Sequence, residues 1–287
     1  MKNKKINAKY DYGPSIFFKI WINFCTYLSL SVLVFLTVYI FVNAGGVVNL
    51  SFILDKPAGF PVGSAGGIWP AIMGSFLVTL IAGFIATFLA FFTAIYVVFY
   101  CKQEIVSLTV NIIIQCIAGI PSIVLGLFGY AFLVIKLGLG LSILASGITL
   151  AIMIFPFIEI RLQRLFQETG KDLLETSASL GVNTSYAVIN LLLPMYKKQI
   201  ISIVTLASGF AMGAAAPVML TGCVINAPVP KSLLAPFMSL PYHLYILIGE
   251  GISLENAYGT AFILMVLVLF LNLLATIPTL LDLREHK

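Results

Sequence analysis

Six long apolar runs, separated by shorter polar segments, dominate the pattern along the chain. Each run holds about 20 or more mostly apolar residues, the length that a helix needs to cross the hydrocarbon core of a bilayer. The runs are Ile20–Val42, Trp69–Phe99, Leu108–Val134, Leu139–Ile158, Ile200–Val224 and Tyr258–Leu281. The pattern therefore predicts an all-α polytopic membrane protein with six transmembrane helices.

Composition leaves no room for a sizeable soluble domain. Hydrophobic residues make up 60% of the chain, charged residues only 9%, and the mean hydropathy is +1.07. About a quarter of the residues of an ordinary soluble domain are charged. We predict one transmembrane domain over residues 20–281, with tails at 1–19 and 282–287. The first apolar run is too long for the core of a signal peptide, so we expect it to remain as a helix.

The distribution of Lys and Arg predicts the orientation in the membrane. With six spans both termini lie on one side, and that side carries thirteen of the 16 basic residues. The other side carries three, namely Lys56, Lys136 and Lys231. Because cytoplasmic loops are enriched in Lys and Arg, both termini and the segment 159–198 are predicted to be cytoplasmic. The segment 226–256, which holds four prolines, is then extracytoplasmic.

The segment 159–198 is a polar island between two apolar runs. Residues Lys171 to Leu180 have the spacing of a short helix, with Leu173, Leu174, Ser177 and Leu180 on one face. Gly181 suits the left-handed position just past a helix end, and Pro194 predicts an interruption in a second helix. A helix with a small apolar face can dock into a partner's groove, although a plain solvated loop is an open alternative.

Breaks and small residues mark two of the predicted spans. Gly119 and Pro121 interrupt the third, where Pro121 removes a backbone hydrogen bond at membrane depth. Such breaks are tolerated next to a cavity, and a simple packing kink is the alternative. In the fifth span, Gly209 and Gly213 form a GxxxG pattern that Ala207 and Ala211 extend. Small residues let helices approach closely, so this face is predicted to pack against another helix.

The polar island resembles the cytoplasmic coupling loop of ABC-importer permeases. The matching residues are Glu175-Thr-Ser-Ala-Ser-Leu-Gly181 followed by Leu191-Leu-Leu-Pro194. In that family the loop docks into a cleft on an ATPase subunit. The resemblance implies a coupling role for Leu173, Leu174, Glu175, Ala178, Leu180, Gly181 and Pro194.

A more specific resemblance covers roughly residues 20–281. Ala118-Gly-Ile-Pro-Ser-Ile-Val-Leu-Gly-Leu-Phe-Gly129 is similar to a block of phosphate-importer permeases of the PstA type, with Leu125 where Tyr is usual. Gly66-Gly-Ile-Trp-Pro70 and Leu240-Pro-Tyr-His-Leu-Tyr245 also match. The resemblance implies the type I permease fold of ABC importers, alternating access, and a bacterial cytoplasmic (inner) membrane location.

The resemblance also implies partners. They are a second, PstC-like permease, a PstB-like ATPase dimer and an extracytoplasmic phosphate-binding protein, in addition to membrane lipid. The chain has no phosphate-binding loop of the G-x-x-x-x-G-K-[ST] type, so ATP and Mg are expected on the ATPase, and we expect no cofactor on this chain. Neither histidine, His243 or His286, has a carboxylate and a nucleophile nearby in the sequence, and no Cys or His spacing suggests a metal. We therefore predict no enzyme activity, and the small net charge of +5 suggests no nucleic-acid partner.

One stretch departs from the pattern of the family. The family's fifth helix reads Arg-Ala-x-Gly-Glu-Thr-Ala-Pro, whereas this chain reads Phe210-Ala-Met-Gly-Ala-Ala-Ala-Pro217. The intramembrane Arg and Glu are thus Phe210 and Ala214. Losing both together avoids leaving one unpaired buried charge.

This departure leaves the substrate open at the level of sequence. Either the partner permease supplies the polar groups and the chain remains a phosphate permease, or the substrate has changed, or the subunit no longer transports and serves in assembly or sensing. Candidates for the path through this chain are Gly119, Pro121, Ser122, Phe210 and Ala214. The hydroxyls of Ser142, Thr205 and Ser208 are further neutral donors, unless each bonds to its own backbone.

Overall fold

The computed structural model describes residues 16–285, except for the side chains of residues 169, 171, 172, 175 and 278–285. His286 and the N-terminal tail before residue 16 lie outside the described residues. Helices dominate the described chain. They are α1 (Ile16–Ala44), α2 (Leu50–Leu54), α3 (Trp69–Ile95), α4 (Glu104–Ala118), α5 (Ser122–Gly129), α6 (Ile143–Ser179), α7 (Thr184–Ala187), α8 (Leu193–Met212), α9 (Ala216–Thr221), α10 (Leu240–Gly249) and α11 (Leu254–Glu285).

Three π-helical turns and one small hairpin complete the secondary structure of the described residues. The π turns, in chain order, are π1 (Tyr96–Tyr100), π2 (Tyr130–Lys136) and π3 (Val188–Leu192). The hairpin pairs β1 (Pro57–Ala58) antiparallel with β2 (Ala65–Gly66). It precedes α3 and lies in the segment that the sequence predicts to be a polar loop.

Five helical stretches are long and apolar enough to cross a membrane, and α4 with α5–π2 forms a sixth that is bent by 96°. The bend falls at Gly119–Pro121, as the sequence predicts. Gly119 caps α4, and Pro121, which has no N–H to continue that helix, precedes the first residue of α5. The prediction of six spans is confirmed if the bent pair counts as one, while the orientation of the termini stays a prediction.

The fourth span does not end where the sequence predicts. Rather than stopping at Ile158, α6 continues unbroken through Ser179, and the predicted separate helix over 171–180 is its last part. Glu159, predicted to begin the polar island, is fully buried. The polar residues at this point do not end the helix. Gln163 Nε2 donates to Asn111 Oδ1 on α4 at 2.9 Å and also donates to Glu159 Oε1, while Glu159 Oε2 is buried without a hydrogen-bond partner among the described residues.

The fifth span also differs from its prediction. Helical structure runs without interruption from Thr184 to Met212, so the predicted break at Pro194 is wrong. Pro194 lies in the first turn of α8, where the ring is tolerated, and the preceding π turn accommodates it. The helix then ends at Met212, not Val224, because Gly213 caps it and the chain turns into the short α9.

The main core lies between α3 and α6. A stripe of alanines on α3, Ala82, Ala86, Ala90 and Ala94, is fully buried. Large side chains of α6, among them Leu150, Ile154, Ile158 and Phe166, fill the space opposite. The contact is close: a Cβ added at Gly147 would lie 2.5 Å from Ile81 Cγ2. This packing holds α6 firmly against α3 along much of its length.

The segment between α9 and α11 contains an apolar helix, α10, where the sequence predicts only a connection. In α10, His243 is 3% exposed, and its Nδ1 lies 3.1 Å from Thr260 Oγ1 on α11. Because the Thr260 hydroxyl donates to Asn256 O, the imidazole donates from Nδ1. Asn256 Nδ2 donates to Gly63 O in the hairpin loop at 2.8 Å. The hairpin, α10 and α11 thus form one cap on this end of the bundle.

Candidate functional site

A cavity of about 710 Å³ lies between α6, the C-terminal end of α8, α11 and the start of α5. It brings together several residues that the sequence singles out as path candidates, namely Ser122, Phe210 and Ala214. Gly119 and Pro121 do not line it and instead form the bend that places Ser122 at its edge. The other lining residues are Met153, Phe157, Arg161, Leu206, Gly209, Gly213, Val268 and Asn272.

Two aromatic rings and a guanidinium form a stack on one wall of this cavity. The rings of Phe157 and Phe210 are near-parallel, at 18°, with centroids 6.4 Å apart. The Arg161 guanidinium carbon lies 4.1 Å from the centroid of Phe157. A cation at this distance over an aromatic face is attracted by the ring's quadrupole. The cavity therefore has a cationic group, although the fifth span itself has none.

Arg161 is the residue that sequence reasoning missed. From the sequence, Arg161 is only one of the basic residues that predict the cytoplasmic side. The available signal was its spacing: Met153, Phe157 and Arg161 follow one another at four-residue intervals, so they share a helix face. That signal has meaning only if the helix continues past Ile158, as α6 does.

The small-residue stripe of α8 is split between two surroundings. Ala207, Gly209 and Ala211 are buried, and a Cβ at Gly209 would lie 2.9 Å from Asn272 Oδ1 on α11. Gly213 is the cap of α8, and a Cβ there would approach only Phe210 O, at 3.8 Å. Close helix approach is thus found at Gly209, while Gly213 serves to end the helix.

Two of the four hydroxyls proposed as neutral donors already donate to their own helix, and a third, that of Ser142, is fully buried and does not line the cavity. Thr205 Oγ1 donates to Ile201 O and Ser208 Oγ donates to Val204 O. Ser142 Oγ caps α6 by accepting from Ala145 N. Ser122, in contrast, has no hydrogen bond from its hydroxyl to any side chain or backbone group that the structure describes. It remains available to the cavity.

The C-terminal end of α6 and the turn that follows form the tip of the predicted coupling segment. Gly181 has φ +77°, and Val182 N donates to Ser177 O at 3.0 Å, which is the closing bond of a Schellman motif. The left-handed conformation predicted for Gly181 is therefore confirmed. Glu175 lies in the last turns of α6, and its side chain is outside the described residues.

The apolar face predicted at this tip is largely turned inward. Leu173 and Leu174 pack against the protein's own core, and Ser177 is buried. Ala178 and Leu180 are exposed, Leu180 by 78%. Exposed apolar side chains continue beyond the turn at Tyr186 and Ile189. We call Leu180, Tyr186 and Ile189 the tip surface. Pro194 lies further on, in a groove of about 540 Å³ that also includes Phe91 and Ile189.

Comparison with known proteins agrees with this architecture. A probable ABC transporter permease protein, YqgI of Bacillus subtilis, is 26% identical over 288 residues, covering 95% of each chain. A probable phosphate transport system permease protein PstA of Methanocaldococcus jannaschii is 25% identical and covers 77% of this chain and 79% of its own. The PstA of Mycobacterium leprae is 28% identical over 214 residues, covering 73% of this chain and 69% of its own.

The fold has a counterpart among solved structures. A structure of inward-facing conformations of the MetNI methionine ABC transporter matches with a TM-score of 0.60 at 18% identity, over 73% of this chain and 91% of that one. At that identity the likeness shows the fold alone, which is that of a type I ABC-importer permease. Residues 101–279 match the family described as the inner membrane component of binding-protein-dependent transport systems. The chain therefore belongs to that family of multi-pass membrane transport subunits.

Proposed function

We propose that the chain is a permease subunit that moves inorganic phosphate into the cell by alternating access. The observation that carries the proposal is the cavity between α5, α6, α8 and α11, which has a guanidinium, an amide and a free hydroxyl on its walls. No acidic residue is among the described residues that line it. Such a donor set suits an anion and disfavours a cation. The relatives named PstA support phosphate as that anion.

The proposal includes the rest of the transporter. A PstC-like permease would complete the membrane part, a PstB-like ATPase dimer would bind ATP, and a phosphate-binding protein would deliver substrate from the extracytoplasmic side of a bacterial cytoplasmic membrane. The tip surface of Leu180, Tyr186 and Ile189 supports docking to the ATPase, since exposed apolar side chains on a helical turn fit a partner's groove.

The direct test is phosphate uptake into proteoliposomes that contain this chain with its cognate permease, ATPase, binding protein and ATP. We expect ATP-dependent accumulation of phosphate. The matched control omits only this chain and should show neither uptake nor ATPase activity stimulated by the binding protein. Stimulated ATPase activity without phosphate accumulation by the complete system would contradict the assignment of phosphate.

A second candidate function rests on one observation, the replacement of the family's Arg and Glu by Phe210 and Ala214. Under this alternative the subunit carries another substrate or has become an assembly or sensory subunit. The same proteoliposomes separate the cases. Uptake of another oxyanion, such as sulfate, would favour a changed substrate, while ATPase docking without uptake of any tested anion would favour the non-transporting role.

A further inference from the structure

We infer that Arg161 is the residue through which this chain contacts the transported oxyanion, and that Phe210 positions it. The inference rests on the proposed function and gives it a specific residue. It also changes the expectation that the partner permease alone provides the charged groups. The cation that the family carries on the fifth span would here be carried on α6, across the same cavity.

The geometry leaves the hydrogen-bonding edge of Arg161 free. Its guanidinium carbon lies 4.1 Å from the centroid of the Phe157 ring, and its N–H groups form no hydrogen bond with any side chain or backbone group that the structure describes. Among residues 16–285 with described side chains, none forms a salt bridge with Arg161. A guanidinium has five N–H donors in a fork that matches a tetrahedral oxyanion. Arg161 can therefore bind an anion without first losing a carboxylate.

Neutral donors lie on the other walls of the cavity. Asn272 on α11 packs over Gly209, where its side chain reaches the cavity because that position has no Cβ. Ser122 contributes its free hydroxyl from the start of α5. One cation with two neutral donors, and no acidic lining among the described residues, is a setting in which an oxyanion would be hydrogen-bonded on several sides.

Phe210, which replaces the arginine of the family pattern, supports Arg161 indirectly. Its ring is near-parallel to that of Phe157, on which Arg161 rests. The three groups form one continuous stack from α8 to α6. Phe210 thus limits the movement of Phe157 and, through it, of the guanidinium. In this role Phe210 is a positioning residue and does not itself bind the anion.

Kinetics of phosphate uptake in the proteoliposomes test the contact. Arg161→Gln should raise the KM for phosphate by about tenfold to a hundredfold, since a hydrogen bond to a charged group contributes that much. The KM of Arg161→Lys should lie between those of the wild type and Arg161→Gln, because lysine keeps the charge but lacks the planar guanidinium. Arg164→Gln is the control: it removes the same charge from α6, but Arg164 does not line the cavity. An unchanged KM in Arg161→Gln would overturn the inference while leaving phosphate transport intact.

A double-mutant cycle tests the positioning role of Phe210. Phe210→Ala should raise the KM a few-fold, and Phe210→Ala combined with Arg161→Gln should be no worse than Arg161→Gln alone, because Phe210 acts through Arg161. Multiplying effects would show that Phe210 contributes independently and would overturn this part of the inference. Rescue of the KM by Phe210→Tyr, which keeps the ring, would support it.

Chemical modification tests the contact between Arg161 and an oxyanion independently of transport. It still applies if the wild-type transporter does not take up phosphate, a result that would contradict the proposed function. Phenylglyoxal modification of Arg161 and Arg164 is measured by mass spectrometry in the same proteoliposomes, with and without saturating phosphate or sulfate. Protection of Arg161 by either anion, with Arg164 unprotected, supports an oxyanion contact. Equal labelling of Arg161 with and without both anions overturns it.

Discussion

Gly74 is a residue whose small size is imposed by its surroundings. A Cβ there would lie 2.0 Å from Met238 O and 2.8 Å from Phe237 Cδ2. The next residue, Ser75, accepts a hydrogen bond from Leu240 N at 2.8 Å. Together they seat the chain that leads into α10 against the start of α3. Backbone cannot move aside as a flexible side chain does, so an added methyl group forces a rearrangement.

Gly74→Ala is therefore expected to lower the free energy of unfolding by about 1–3 kcal/mol, the usual cost of overpacking. The measurement is thermal unfolding in detergent. Gly249→Ala is the matched control, since no atom lies within 4 Å of a Cβ at that position and its backbone is not left-handed. Equal melting temperatures for the two variants would contradict the close contact at Gly74.

His243 predicts a dependence of stability on pH. Burial lowers its pKa from 6.5 to about 4, so the folded protein keeps the imidazole neutral. As pH falls below 6.5 the unfolded chain gains a proton that the folded protein does not, and the free energy of unfolding decreases until about pH 4. By pH 5 the loss should be about 2 kcal/mol.

Thermal unfolding at pH 7.5 and pH 5 measures this effect against a variant that cannot titrate. His243→Asn keeps a donor for Thr260 and should remove most of the difference between the two pH values. A difference of the same size in wild type and His243→Asn would assign the pH dependence to another group.

At the residue scale, prediction from sequence worked where backbone conformation decides and failed where tertiary neighbours decide. The break at Pro121 and the left-handed Gly181 follow from local chemistry. The sequence places Glu159 and Arg161 in a polar segment beyond the end of the fourth span, whereas α6 continues through both residues. In the structure Arg161 contacts the ring of Phe157, and Gln163 contacts both Glu159 and Asn111. No local pattern in the sequence reports such partners.

At the scale of elements, the side chains available for docking to an ATPase differ from those that the sequence predicts. The sequence predicts an apolar face that includes Leu173 and Leu174, but both pack inward. Leu180 is the member of that face that is largely exposed. The periodicity was sufficient to find a helix, but it could not tell whether its apolar face meets the chain's own core or a partner.

We expect Leu180→Asp to uncouple ATPase activity from uptake while the protein remains inserted, because a charge replaces an exposed apolar contact. Glu175→Lys and Gly181→Asp, which alter the same turn, should act in the same direction. The measurement is uptake per ATP hydrolysed in proteoliposomes. Leu50→Asp makes the same change at an exposed position of α2, predicted to lie on the opposite side, and should preserve coupling. Normal coupling in all three tip variants would contradict docking at this turn.

At the scale of the whole molecule, the apolar runs predict the number of spans, but the predicted end of the fourth span and the predicted start of the fifth are wrong for one shared reason. Helices α6 and the α7–α8 stretch extend beyond the apolar runs and continue into the polar segment. The length of an apolar run reflects the thickness of the membrane that it crosses, whereas the length of a helix is set by backbone hydrogen bonding and packing. The two coincide only where a helix ends at the membrane surface.

The predicted orientation can be tested by labelling. In a variant without the four native cysteines, Lys231→Cys should react with a membrane-impermeant maleimide in intact cells. Leu180→Cys should react only after permeabilisation, because the basic residues predict that the tip surface is cytoplasmic. Both positions are exposed in the structure, so burial does not confuse the result. Labelling in the reverse pattern would show that the charge distribution predicts the wrong orientation.

The continuity of α6 has a mechanical consequence. Its 37 residues form a rod about 55 Å long, with Pro156 inside it. Its N-terminal half packs closely against α3, where Gly147 meets Ile81, and its C-terminal end carries the turn at Gly181. Because α3 packs against α6 along much of its length, the two helices would pivot together, and a pivot of about 5° near Ile143 displaces the far end of α6 by about 5 Å. Arg161, about 27 Å from the first residue, would travel about half as far. One stiff element would thus convert a push at the turn into a smaller, proportionate shift of the guanidinium.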